Sequence, residues 1–161
     1  MDLVALEEIR RVKFRYLRCL DLKLWDEMAE TLTADARVHY GTPSYGEPLN
    51  FDNRDALMEF LRTAVGPGIT TMHFAGHPEI EIDGDLATGR WLFQDKVIVA
   101  EHRVVIEGAA YYEDTYRREN GEWRISSTGY ERLYETLVSM KDQPGWKLTA
   151  NRWGQSSVSG P

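Results

Sequence analysis

Cysteine occurs once in the 161 residues, so no disulfide can close within the chain. Cys19 falls on an apolar helical face and reads as a small core residue suited to a reducing compartment. No apolar run approaches the ~20 residues that cross a bilayer as a helix, and the first residues carry no signal-peptide hydrophobic region. A cytoplasmic location is therefore expected. Basic residues are outnumbered, giving a net charge of −7. With no basic stripe outside the first helix, dedicated nucleic-acid binding is excluded, and no membrane partner is expected. Also missing are a Gly-rich phosphate loop, a Gly-x-Ser-x-Gly elbow and a paired-Cys motif.

What is present describes a globular chain. Hydrophobic residues make up 42% and charged residues 28%, enough for one domain with a substantial core. That domain is expected over residues 1–140, with a polar tail over 141–161 held in place only by a partner.

The stretch from Ile9 to Tyr40 organises the chain. Ile9, Val12, Tyr16 and Cys19 recur at helical spacing on one face, while Arg10, Arg11, Lys13, Arg15 and Arg18 are expected mostly in solvent. Tyr16 and Asp21, five residues apart, diverge by roughly 140° on an unbroken helix. For both to reach one pocket, the helix must end or loosen near Leu20. A second short helix around Trp25 to Leu32 and a strand from Ala36 to Tyr40 follow. After a turn-rich loop over 41–53, a third helix runs from Asp55 to Ala64, capped by Asp52 or Asn53.

From Ile69 the hydrophobic period falls from 3.6 to 2. Strands are expected from Thr70 to Ile82, Leu86 to Glu101, Val104 to Arg118 and Glu122 to Leu133, joined by Asp83-Gly84-Asp85 and Glu119-Asn120-Gly121 hairpins. Tyr134 to Met140 reads as a short helix or an extended arm. The fold class is α+β: three N-terminal helices packed on a curved, mostly antiparallel sheet.

His73 is the first chemical candidate. A lone strand histidine is more often structural, but a carboxylate on its second ring nitrogen would fix its tautomer and raise its basicity; Asp21 is the natural partner. Asp95 alternates with Trp91, Phe93, Val97 and Val99, so it either enters a polar cavity or sits near a solvated strand end. Tyr16, Tyr40, Tyr45, Tyr112 and Tyr130 form a phenol-rich set that otherwise fills core. Arg132, sharing a face with Tyr130, Thr128 and Ser126, is either a rim residue or a binder of a ligand carboxylate or carbonyl. His73 and His77 would share one strand face about 7 Å apart. With no third ligand in view, no metal and no other cofactor is expected.

The run Tyr16-Leu17-Arg18-Cys19-Leu20-Asp21 with Trp25-Asp26 resembles the SnoaL-like branch of the NTF2-like superfamily. So do His73, Thr88-Gly89-Arg90-Trp91 with Asp95, Tyr112-Glu113-Asp114-Thr115-Tyr116 and Gly121-Glu122-Trp123-Arg124-Ile125. This branch includes bile-acid 7α-dehydratase and is similar to scytalone dehydratase and the lindane dehydrochlorinase. The resemblance covers roughly Val4 to Tyr134. It implies a cone-shaped barrel opening on a hydrophobic small-molecule substrate, and catalytic roles for Tyr16, Asp21, His73 and Asp95. Tyr40, Tyr112, Tyr130 and Arg132 are then the substrate-binding residues. The implied chemistry is cofactor-independent elimination of water from an alicyclic, steroid-like or polyketide-like substrate. A cyclase or isomerase with Asp95 as base, and a non-catalytic binding or assembly module, remain alternatives. The relatives imply a homo-oligomer, trimer or dimer.

Overall fold

The computed structural model describes residues 2–154. Helix α1 runs from Leu3 to Leu22. It starts where the Asp2 carboxylate accepts from the Val4 and Ala5 amides, satisfying donors that the first turn leaves free. Ile9, Val12, Tyr16 and Cys19 are buried, as their spacing requires. The helix does not loosen at Leu20: it continues through Asp21 and is closed by Lys23 in the left-handed region at φ 56°. Lys13 overturns its expected place in solvent, because its side chain is fully buried. Its position four residues after Ile9 and three before Tyr16 puts it on the apolar face.

Helix α2 (Trp25–Glu30), strand β1 (Leu32–Gly41), a 3-10 turn (Pro43–Tyr45), strand β2 (Leu49–Phe51) and helix α3 (Arg54–Ala64) follow. Asn53 caps α3 through the Ala56 amide. Strands β3 (Ile69–Asp83), β4 (Leu86–Val99), β5 (Val104–Glu119) and β6 (Glu122–Ser139) form the meander. Asn120 and Gly121 both take positive φ at the last hairpin, as a type I′ turn demands. Beyond Leu133 the chain takes the extended alternative and not the helix, continuing β6 until Ser139 lies opposite Val104.

All six strands join one sheet in the order β2-β1-β6-β5-β4-β3. It is antiparallel except where β1 meets β6, and β2 and β3 are its free edges. Helix α1 packs on β3 and β6, and α3 on β1, so the helices fill the concave side. Beyond β6, residues 140–154 contain no helix or strand. Part of this segment returns to the domain: Asn151 contacts Thr70 and the Pro67 carbonyl, and Lys23 lies over the Trp153 ring. The expected polar end of the tail, from residue 155 on, lies outside the described residues.

Three bulges decide which side chains look inward. In β3 the pairing slips between Gly76 and Glu79, and His77 takes φ 49° and is exposed. His73 and His77 therefore do not share a face, and the inward set changes from odd to even residues. In β6 the slip opposite Thr115 and Tyr116 leaves Ser126 bonded to Thr115 along with Ser127, so Ser126 does not share the inner face with Thr128. The slip opposite Ala109 and Ala110 adds Leu133, and Arg132 and Glu135, three apart, come together.

Candidate active site

A cavity of about 330 Å³ opens between the helices and the inner face of the sheet. Its apolar wall includes Leu20, Phe60, Leu61, Val97, Val99 and Ile106. Its polar wall carries Tyr40, Thr42, Tyr112 and Tyr130, and His73, Asp95 and Arg132 complete it. Six of the eight expected site residues thus line one space, although they come from five strands. Asp21 and Tyr16 do not line it.

Asp21 reaches the site through His73. Its Oδ1 is 2.7 Å from His73 Nδ1 and accepts from the Thr71 hydroxyl at 2.8 Å, while Oδ2 accepts from the His73 amide at 2.8 Å. Burial raises the Asp21 pKa, but the hydrogen bonds and charge of His73, helped by Thr71, outweigh it and hold the carboxyl below its ordinary range. With Nδ1 engaged, His73 Nε2 has no protein partner among the described residues. The pair forms although the helix runs straight through Asp21, because edge strand β3 lies on the side to which Asp21 points. The ~140° divergence of Asp21 from Tyr16 is real, and it separates the two residues. An outer groove lined by Phe14, Leu17, Leu22 and Phe74 also meets Asp21 and His73, so the pair lies between the cavity and the surface.

Tyr16 is wholly buried and its hydroxyl bonds the Tyr40 hydroxyl. It stands behind the polar wall, with Tyr40 between it and the cavity. Burial first, then neighbouring Tyr40 and Tyr112, push the Tyr16 phenol far above its ordinary pKa, so it stays protonated. The Tyr130 hydroxyl is 2.6 Å from that of Thr42, and the Tyr40 and Tyr130 rings stack with centroids 5.5 Å apart.

Asp95 sits directly across the ladder from His73 and is buried. Both its oxygens accept from Arg132, at 2.6 and 2.8 Å, while Arg132 Nε donates to Glu135 at 3.2 Å. Arg132 is therefore a buried partner of two carboxylates and not a rim residue. It crosses β5 at Gly108, which pairs with Asp95; a Cβ there would lie 2.9 Å from Arg132 Nη1. Glu135 was not visible as a site residue, since only the bulge at Leu133 aligns it with Arg132.

A second polar cluster lies behind Tyr112. Lys13 Nζ is 2.8 Å from Asp114 Oδ2, with both side chains fully buried, and 3.4 Å from the Tyr112 ring centroid. Tyr116 donates to Asp114 at 2.6 Å and receives the Trp91 indole N–H at 2.9 Å. Periodicity on α1 was the one signal that could have revealed Lys13. Among the described residues no group of three or more His, Cys, Asp or Glu is arranged to hold a metal ion, and no helix is long and apolar enough to cross a membrane.

Residues 1–129 match the SnoaL-like domain. An uncharacterized protein of Mycobacterium tuberculosis is 24% identical over 120 residues, 73% of this chain and 78% of its own. Among solved structures, a scytalone dehydratase-like protein from Novosphingobium aromaticivorans is 21% identical. It superimposes with a TM-score of 0.74 over 84% of this chain and 88% of that one. A hexachlorocyclohexane dehydrochlorinase is 18% identical, with a TM-score of 0.72 over 85% and 90% of the two chains. At such identities these structural likenesses establish the fold, three helices on an open NTF2-like sheet.

Proposed function

We propose, on the premise that this chain belongs to the SnoaL-like domain family, that it is a cofactor-independent lyase eliminating water from a hydrophobic ring substrate. The observation that carries the reading is the Asp21–His73 pair at 2.7 Å with the imidazole on the cavity wall. Asp21 accepts the Nδ1 proton and leaves Nε2 as the base. Nε2 takes a proton from the carbon next to a carbonyl, the C–H electron pair becomes the new double bond, and the C–O bond breaks. The departing hydroxide takes that same proton back from His73 Nε2 and leaves as water, which restores the base. Tyr40 and Tyr130 donate to the oxygen on which charge develops, with Tyr16 acting through Tyr40. Asp95 anchors Arg132. That engagement of both its oxygens counts against the cyclase reading in which Asp95 is the principal base.

The resemblance of the fold to dehydratase- and dehydrochlorinase-type proteins supports the same reaction class. A homo-oligomer belongs to the reading, because Tyr111, Leu133 and Leu137 leave apolar surface on β5 and β6. The test is turnover of a panel of one- to three-ring β-hydroxyketones by the wild type and by His73→Ala, both checked for folding. Loss of the base is expected to lower the rate about 100- to 10,000-fold. Equal turnover by the folded variant would sink the assignment.

A further inference from the structure

Arg132 is the only lysine or arginine among the residues lining the cavity, and two carboxylates already outweigh its charge. Two N–H groups go to Asp95 and a third to Glu135, with the three side chains only 5%, 4% and 8% exposed. Two carboxylates face one guanidinium, so this end of the cavity carries an excess negative charge. Glu135 is fixed in turn by the Ser44 amide at 2.6 Å. Behind the His73 imidazole, which faces Asp95 across the ladder, Asp21 adds a further carboxylate. Two lysines of α1 and its C-cap outside the lining have partners of their own. Lys23 donates to the Ile69 carbonyl at 2.8 Å outside the lining, and Lys13 belongs to Asp114.

A carboxylate or phosphate entering this space would lose its hydration and meet like charge with no free cation to receive it. Apart from His73 Nε2, the groups that can bond a ligand include the hydroxyls of Tyr40, Tyr112 and the Thr42–Tyr130 pair. These suit a carbonyl or alcohol oxygen. At about 330 Å³ the space lies at the small end of ligand cavities, ~300–1,000 Å³.

We propose that the cavity selects an uncharged, oxygen-bearing ring compound of roughly bicyclic size and rejects carboxylates. Asp95 and Glu135 set that preference by occupying Arg132. The inference rests on the reading of this cavity as the substrate site.

The experiment uses two probes of nearly equal shape, 2-acetylnaphthalene and 2-naphthoate, titrated into the full chain at neutral pH. Their affinity ratio is compared across variants, so that the general dislike of apolar space for charge cancels. In the wild type the ketone binds and naphthoate is at least about tenfold weaker. Asp95→Asn removes the negative charge and one of the two oxygens that hold the guanidinium, and Glu135→Gln removes a carboxylate charge while sparing the bidentate pair. Each moves the ratio toward naphthoate, Asp95→Asn by about tenfold or more, and adding Arg132→Met to Asp95→Asn reverses the gain. A ratio unchanged in the folded Asp95→Asn and Glu135→Gln variants overturns the proposal. Naphthoate binding the wild type as tightly as the ketone also overturns it, while leaving the elimination reading to the His73→Ala assay. If neither probe binds, the cavity is not a ring-compound site and both readings fall.

Discussion

The buried pair Lys13–Asp114 invites a quantitative test of what holds the helix to the sheet. Lys13→Met keeps the length and apolar stem of the side chain but removes its charge. Asp114 is then left in the interior with the Tyr116 hydroxyl as its remaining close donor. Both side chains are fully buried and 2.8 Å apart, and the ammonium also loses its place 3.4 Å above the Tyr112 ring. Burial lowers the Lys13 pKa and outweighs the charge and hydrogen bond of Asp114, which raise it. Breaking one side of such a pair costs about 3–5 kcal/mol. For a domain of this size that corresponds to a fall in Tm of about 6–20 °C. Replacing both residues, Lys13→Met with Asp114→Leu, leaves no orphan charge. It is expected to recover most of the loss, less about 1–3 kcal/mol for the stranded Tyr116 hydroxyl. Urea unfolding of the wild type, both single variants and the double variant gives the coupling energy, provided the m-value is unchanged. A Lys13→Met cost below about 1 kcal/mol, or a double variant no better than the sum of the singles, would refute the reasoning.

Two further outcomes follow from geometry already described. Gly108→Ala would place a methyl group 2.7 Å from the Tyr134 carbonyl and 2.9 Å from Arg132 Nη1. Because the carbonyl cannot swing away, a loss of about 1–3 kcal/mol is expected in thermal unfolding, with the Asp95–Arg132 pair displaced in a crystal structure. The Asp21 carboxyl has a folded pKa below its ordinary 3.8, so its contribution to stability is fully present above that value and is lost as pH falls through the folded one. Asp21→Asn should flatten the acid side of the stability–pH curve. An acid-unfolding profile identical in slope to that of the wild type would contradict the assignment.

The sheet's polarity and the helix faces were readable because they depend on period alone. Ile9, Val12, Tyr16 and Cys19 are buried as spaced, and Trp91, Phe93 and Asp95 alternate inward. Lys13 obeyed the same period; reading it as solvated put residue type ahead of position. The site was legible where two residues came from regular segments. It failed at bulges, where one extra residue redirects everything after it: His77 left the His73 face, Ser126 left the Thr128 face, and Glu135 joined Arg132. In β3 the local mark is Gly76 and Pro78 around His77, whereas in β6 no Gly or Pro marks the slips at Ser126 and Leu133, which show only in the pairing with β5. The helix break expected at Leu20 failed for a related reason. The demand assumed that Tyr16 and Asp21 share a pocket, whereas α1 offers one to the interior and the other to the edge of the sheet.

The Asp21 carboxylate has a consequence outside chemistry. Strand β3 is an edge, and the His73 amide that donates to Asp21 lies on its unpaired side, where another chain's strand could otherwise pair with it. Exposed Met72 and Phe74 flank that amide, which makes an inviting seam for edge-to-edge aggregation. By occupying the free N–H, Asp21 puts a negative charge where an incoming strand would need a carbonyl. The residue that aims the base thus also guards the chain against sticking to its own copies, and any variant that frees the base from Asp21 unlocks that edge as well.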